Sequence, residues 1–272
     1  MNLTIGILCY ETKEETLRCF RALITEVKRL AWDNPPNLVI VDNGKDGTLK
    51  AMLDMTELDK GLCVFGKVHT HNPPNNWGQG YGRNTIIGSA RYDQDADYIL
   101  FMDGDIQIVP GSIEQMLNYL ETHPKVGCFS PHPVRQTRNS EAATPFMIGY
   151  EFILNDIRSA CTGYAMYSIH PFKGGIRFET EGPFYGPGWG LEDDDMYLQL
   201  TTAGWKVDFF VGIVYLQTKP RSSWASIQAE GVDVRAKFEE RKEFFLNKWK
   251  TKGVSPSILL TVQGQSLSNL RA

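Results

Sequence analysis

The stretch Tyr98-Ile-Leu-Phe-Met-Asp-Gly-Asp105 constrains this chain more than any other, because an apolar run that stops abruptly at two carboxylates does more than fill a core. Its residues suit a central parallel strand, buried on both faces and therefore continuously hydrophobic, that ends in a charged site. Asp103 and Asp105 stand two apart, so in extended chain they point the same way. Gly104 lets the backbone bend until both reach one hard cation. Taken alone, Asp-Gly-Asp is more simply a turn carrying solvated charge. The rest of the chain favours the metal.

At 272 residues and 42% hydrophobic content, the chain can bury one large α/β core. A formal net charge of -4 argues against a broadly basic face for nucleic acid and leaves room only for a local patch. Five cysteines, odd in number and without C-x-x-C spacing, indicate neither a disulfide framework nor a zinc knuckle. The N-terminus enters strand-like sequence directly, and no apolar run approaches the ~18 residues of a membrane span. The expectation is a soluble, cytoplasmic protein.

Taken in order, residues 3–8 form a strand, and Thr12 with Glu15 caps a helix whose stripe is Leu17, Phe20, Ile24, Val27 and Ala31. After Pro35-Pro36, Leu38 to Val41 is a second buried strand ending in Asp42-Asn-Gly44. Cys63 to Val68 reads as a third strand, Asn75 to Tyr81 as loop and Asn84 to Arg91 as helix. Ser112 and Gln115 cap a further helix with stripe Ile113, Met116, Leu117 and Leu120, and Val126 to Phe129 is a strand. The pattern predicts an open, mostly parallel sheet flanked by helices, with a smaller sheet contributed by strands at residues 162–168 and 206–211. Val234, Phe238, Phe245 and Trp249 make the stripe of a C-terminal helix, and residues 220–231, with the Ser-Ser-Trp of 222–224, suit a mobile lid.

In open α/β sheets, ligands bind beyond the carboxyl ends of the strands, where Tyr10 and Glu11, Asp42 and Asn43, and Asp103 and Asp105 converge. No G-x-G-x-x-G follows the first strand and no P-loop occurs, so bound phosphates would rely on a metal. A second constellation is Gly186-Pro-Gly-Trp-Gly-Leu-Glu-Asp-Asp-Asp195, an aromatic glycine loop followed by four acids at a helix start. Acids are favoured there by the helix dipole alone. Behind Gly-Trp-Gly they suggest more: Trp189 can stack on a sugar face while Glu192 or Asp193 accepts a proton from an incoming hydroxyl.

These strings together resemble the nucleotide-sugar glycosyltransferases of the GT-A fold, family 2-like, over roughly residues 2–250. The likeness rests on residues 4–10, 38–44, Gly78-Gln-Gly-Tyr-Gly-Arg-Asn84, the Asp-x-Asp of 103–105, and residues 188–195, which also look like the acidic segment of β-1,4-galactosyltransferases. It implies one domain at 1–252: a nucleotide-sugar half (1–130), an acceptor and catalytic half (131–232) and a C-terminal helix (233–252), with a tail at 253–272. It also implies roles for single residues. Tyr10, Glu11, Asp42 and Asn43 would line the nucleoside slot, with Asp42 accepting from a base imide N–H, which favours uridine. Arg83 and Asn84 would border the diphosphate, and Asp103 and Asp105 would hold Mn²⁺ or Mg²⁺. Trp189, Gly190 and Glu192 would form the acceptor side, and Asp193 would be the base of an inverting displacement.

The chain departs from that pattern where many such enzymes place a metal-binding histidine, since Val214 to Arg221 contains none. Lys219 and Arg221 would then supply charge to the diphosphate directly, or water would complete the metal. The rival readings are a retaining transferase, a sugar-1-phosphate nucleotidyltransferase, whose glycine-rich, arginine-containing loop after the first strand is missing, and a non-catalytic binding module, which has no need of paired acids at two places. The sequence leaves the donor sugar, the oligomeric state and the acceptor open, a nucleic-acid base among the possible acceptors.

Overall fold

The computed structural model describes residues 1–30, 32–58, 64–135, 163–188, 190–217 and 227–254. The chain begins β1 (Leu3–Cys9), α1 (Lys13–Leu30), β2 (Asn37–Asp42), α2 (Thr48–Leu58), β3 (Val68–His71), α3 (Gln79–Tyr92) and β4 (Tyr98–Asp103). It continues through β5 (Ile106–Gln107), α4 (Ser112–Thr122), β6 (Val126–Arg135), β7 (Tyr164–Ser168), α5 (His170–Lys173), α6 (Glu192–Thr202), β8 (Lys206–Gln217) and α7 (Val234–Thr251).

All eight strands join one sheet in the order β3-β2-β1-β4-β7-β6-β8-β5. The β1–β2, β2–β3, β1–β4 and β6–β8 pairs are parallel, and β4–β7, β6–β7 and β5–β8 are antiparallel. Where a smaller second sheet was expected, the later strands extend the first one, with β7 hydrogen-bonded directly to β4. Strands β1, β2 and β4 alternate between the two faces. Ile5, Ile7, Leu38, Ile40, Leu100 and Met102 face α1 and α4, while Leu8, Val39, Val41, Ile99 and Phe101 face α3, α5 and α6. Both faces are covered, which is why these strands read as unbroken apolar runs.

Several local readings shift. The third strand is Val68–His71 rather than Cys63 to Val68, and α2 is a helix with no counterpart in the sequence reading. Helix α3 starts at Gln79, taking in residues read as loop. Gly111, with positive φ, caps α4 without a side-chain bond, and Ser112 Oγ instead meets Tyr164 OH at 2.6 Å. Among the described residues, no helix is long and apolar enough to cross a membrane.

Helix α3 lies close to β1 because Gly6 has no side chain. A Cβ there would fall within 2.8 Å of Ile86 Cδ1 and closer still to its Cγ2, inside a fully buried cluster. Gly6→Ala should therefore lower stability by about 1–3 kcal/mol, the usual cost of overpacking, as measured by chemical denaturation. A change below about 0.5 kcal/mol would mean that α3 yields freely.

Candidate active site

The pairing register brings three polar strand ends level, since Cys9 is opposite Asp42 and Leu8 is opposite Asp103. Beyond them opens a cleft of about 340 Å³ lined by Glu11, Asn43, Lys45, Asn75, Asn76, Pro187 and Glu230. Tyr10, at its edge, donates its hydroxyl to Glu230 Oε1 at 2.5 Å, and burial together with that carboxylate pushes the phenol pKa up. Glu11 holds a left-handed backbone (φ 50°) and accepts from the Lys45 N–H at 2.7 Å.

Asp42 and Asn43 divide differently from the expectation. Asp42 is 1% exposed, and its two oxygens accept from the Gly44 and Leu49 N–H groups at 2.9 and 3.0 Å. It ties the end of β2 to the start of α2 and is turned away from the cleft. Burial raises its pKa, and those two N–H groups counter the rise only in part. Asn43, also buried, donates Nδ2 to Gly78 O at 3.1 Å, while its Oδ1 has no hydrogen-bond partner among the described residues. A buried acceptor without a partner on the wall of a cleft is suited to a ligand N–H.

On the other side, Arg83 Nη2 donates to Asp103 Oδ1 at 3.1 Å and Nη1 to Gln79 Oε1 at 2.8 Å, with the guanidinium 5.5 Å from the centre of the Phe178 ring. The Arg83 side chain is 2% exposed and that of Asp103 26%. Burial pushes the Asp103 carboxyl pKa up, Arg83 pulls it down, Glu192 pushes it up again, and the net direction is up. Burial likewise opposes the charge on Arg83, but Asp103, Asp193 and Glu192 outweigh it and raise its pKa. The guanidinium thus feels both acidic motifs at once. Asp105 is half-buried beyond Gly104, whose missing side chain lets the turn lie against Thr16 of α1. Among the described residues, no group of three or more His, Cys, Asp or Glu side chains could hold a metal ion.

The four acids at the start of α6 separate by direction. Glu192 is buried against Arg241 Nη1 of α7. Asp195 accepts from Trp249 Nε1 at 2.7 Å, Lys248 Nζ at 2.9 Å and Gln199 Nε2 at 2.7 Å. Asp194 is 2% exposed, whereas Asp193 is half-buried and within electrostatic reach of Arg83. Glu192 therefore faces α7 and not an open acceptor surface. The preceding loop is tightly fitted: a Cβ on Gly190 would lie 2.7 Å from Phe238, and Leu191 adopts φ 71° at the helix cap. Trp189, Lys219, Arg221 and the greater part of the expected lid lie outside the described residues.

Arg241 had no role in the sequence reading, yet its phase announced it. It falls on the buried stripe of α7 with Val234, Phe238, Phe245 and Trp249, and a cation on such a stripe needs a buried acid. Asn84, expected at the donor, uses both ends of its amide on the Phe178 backbone, at 2.9 and 3.0 Å. Asn84→Ala should lower stability by about 1–3 kcal/mol by leaving those backbone groups unpaired. Equilibrium unfolding checks this, and an unchanged midpoint would return Asn84 to the ligand side.

Residues 4–180 match the Glycosyl transferase family 2 profile. That match ends before α6 and α7. No curated protein sequence matches the chain. Among solved structures, the mannosyltransferase PcManGT from Pyrobaculum calidifontis, in complex with GDP-Man and Mn²⁺, superposes with a TM-score of 0.63 at 14% identity, covering 96% of this chain and 68% of that one. S. aureus TarS 1-349 gives 0.58 at 17% identity, covering 86% and 66%. GalNAc-T7 with UDP, GalNAc and Mn²⁺ gives 0.58 at 14%, covering 80% and 44%. The chain also spans 43% of a longer TarS structure. The shared fold is the GT-A arrangement, and the chain belongs to glycosyl transferase family 2.

Proposed function

We propose that this protein transfers a sugar from a nucleoside diphosphate sugar, specifically a UDP-sugar, to an acceptor hydroxyl with inversion at the anomeric carbon. The observation that carries the reading is Arg83, one buried guanidinium bonded to Asp103 and influenced by Asp193, so that the strand-end and helix-end acids belong to one crevice. Solved structures of similar fold hold UDP or GDP-Man. In this chain the nucleoside lies in the cleft beside Tyr10 and Glu11, and the orphan Asn43 Oδ1 takes over from Asp42 the task of accepting a base N–H. The buried Cys9, Cys19 and Cys128, in no disulfide among the described residues, are in keeping with a reducing, cytoplasmic setting.

Asp103 and Asp105 offer hard oxygen donors suited to Mn²⁺ or Mg²⁺, with water and phosphate oxygens needed to complete the shell. When bound, the ion neutralises charge on the departing nucleoside diphosphate. Asp193 removes the proton from the acceptor hydroxyl. The acceptor oxygen then bonds to the anomeric carbon from the face opposite the breaking bond to the diphosphate. Arg83 holds Asp103 in place as charge develops. Gly190 borders an acceptor that is a saccharide or another hydroxyl compound. The likeness of residues 188–195 to the acidic segment of β-1,4-galactosyltransferases supports this assignment of Asp193.

Calorimetry with UDP, GDP and CDP in Mn²⁺ should give measurable binding with UDP the tightest, and no binding of any would remove the reading. Asp105→Ala should weaken UDP binding in Mn²⁺ by far more than it lowers the thermal midpoint, because the change removes a candidate metal ligand but only one half-buried side chain from the fold. Asp193→Asn should keep UDP affinity and fold while lowering turnover roughly 10²-fold or more. Near wild-type turnover in that variant would reduce the acidic run to a helix cap.

A further inference from the structure

Two of the acids at the start of α6 are held by a single helix that lies outside the family match. Successive residues of an α-helix are rotated by about 100°, so Glu192 and Asp195 share one face and Asp193 projects from another. That shared face is anchored twice: by Arg241 on Glu192, and one turn later by Lys248 and Trp249 on Asp195. Two anchors on one face fix the rotation of the helix about its own axis.

Arg241 does more than pair with Glu192. Its Nε donates to Pro183 O at 3.0 Å, and its guanidinium lies 5.2 Å from the centre of the Phe184 ring. A Cβ on Gly188 would fall 2.6 Å from Nη2, an atom with no hydrogen-bond partner among the described residues. The loop that leads into α6 therefore rests directly on this side chain. Stability alone is a weak reason for such a pair, because a well-packed apolar pair of similar bulk holds two helices together as well or better.

We infer that Arg241 is a positioning residue for sugar transfer: by gripping Glu192 and Pro183 with one planar guanidinium that packs against Gly188, it fixes the direction in which Asp193 meets the acceptor. The inference rests on the reading of Asp193 as the base. Arg241 acts through α6 and touches no reacting atom. Its loss should therefore leave the donor pocket alone and misplace the base, and small misplacements of a reacting group are costly to rate.

The test uses the full chain with two variants. Glu192→Met/Arg241→Met replaces the ion pair with apolar bulk, and Arg241→Lys keeps the charge but loses the planar fork. Thermal unfolding, UDP calorimetry in Mn²⁺, and initial rates of hydrolysis of UDP-glucose, UDP-galactose and UDP-N-acetylglucosamine are compared with wild type. The double variant should fold, bind UDP within about twofold of wild type and lose about tenfold or more in kcat with KM unchanged, and Arg241→Lys should fall between. A folded double variant with wild-type kcat, or one that loses UDP affinity in place of kcat, overturns the inference. If the double variant does not fold, Arg241→Lys decides alone: a kcat loss at constant KM supports positioning, and unchanged kcat overturns it. Wild-type protein that binds no UDP, or hydrolyses none of the three sugars, overturns the reading of the site itself and the inference with it.

Discussion

Arg83 carries a guanidinium to a place that water barely reaches, and the cost of doing so dictates much of what surrounds it. A buried cation is tolerated only with good geometry and full hydrogen bonding. Here Asp103 and Gln79 each take a bond and Phe178 presents a ring face, while Nε has no hydrogen-bond partner among the described residues. Each partner imposes a further demand. Asn84 must hold Phe178 by its backbone, and Gly80 and Gly82 must lack side chains because Glu179 O and Leu8 press against α3 at those positions. The glycine spacing at the start of α3 is thus set by packing around one charge. Asp103 cannot move without stranding Arg83, which is why β4, a central strand of the sheet, can end in a charged group and stay fixed.

The second half of the site depends on a parallel arrangement at α7. Burial works against ionisation of Glu179, but Lys248 and the N–H groups of Glu181 and Thr180 outweigh it and hold that carboxyl below its usual range. The same Lys248 reaches Asp195. One cation therefore ties α6 and α7 to the segment that passes over Gly80 of α3. The two halves of the crevice are linked by charge as well as by the sheet.

How much of this the sequence disclosed depended on whether the relevant force was local. Strand β4 and its terminal carboxylates were legible because burial on both faces leaves an unmistakable apolar run. The stripe of α7 was legible because helical periodicity survives in any environment. Strand β3 was misplaced because an edge strand is only half-buried, so Val68–His71 carries little apolar signal, whereas the more apolar Cys63 to Phe65 lies just before it. Helix α2 did carry a local sign in Asp46, which accepts from the Thr48 N–H at 3.1 Å, but the reading of a polar strand end at Asp42 stopped short of it. Roles proved harder to read than elements. That Asp42 would turn both oxygens to its own backbone, or that Glu192 and Asp195 would find partners on the last helix, follows from contacts that no local pattern encodes.

The place of β7 has a consequence for how such a chain becomes folded. Strands β1 to β3 pair through βαβ units that close over short stretches, β4 joins them by a longer closure that sets Leu3 beside Tyr98, and the far edge of β4 waits for β7, where Phe101 meets Ala165. Closing that long loop carries an entropic cost before any pairing is gained, and such non-local contacts slow folding. Until β7 arrives, β4 is an unpaired edge with apolar side chains on both faces, which is a template for another copy of the same strand. That edge belongs to the strand that ends in Asp103, so the carboxylates of the site are set in place only once the edge most like a template for aggregation at this point of the sheet has been covered.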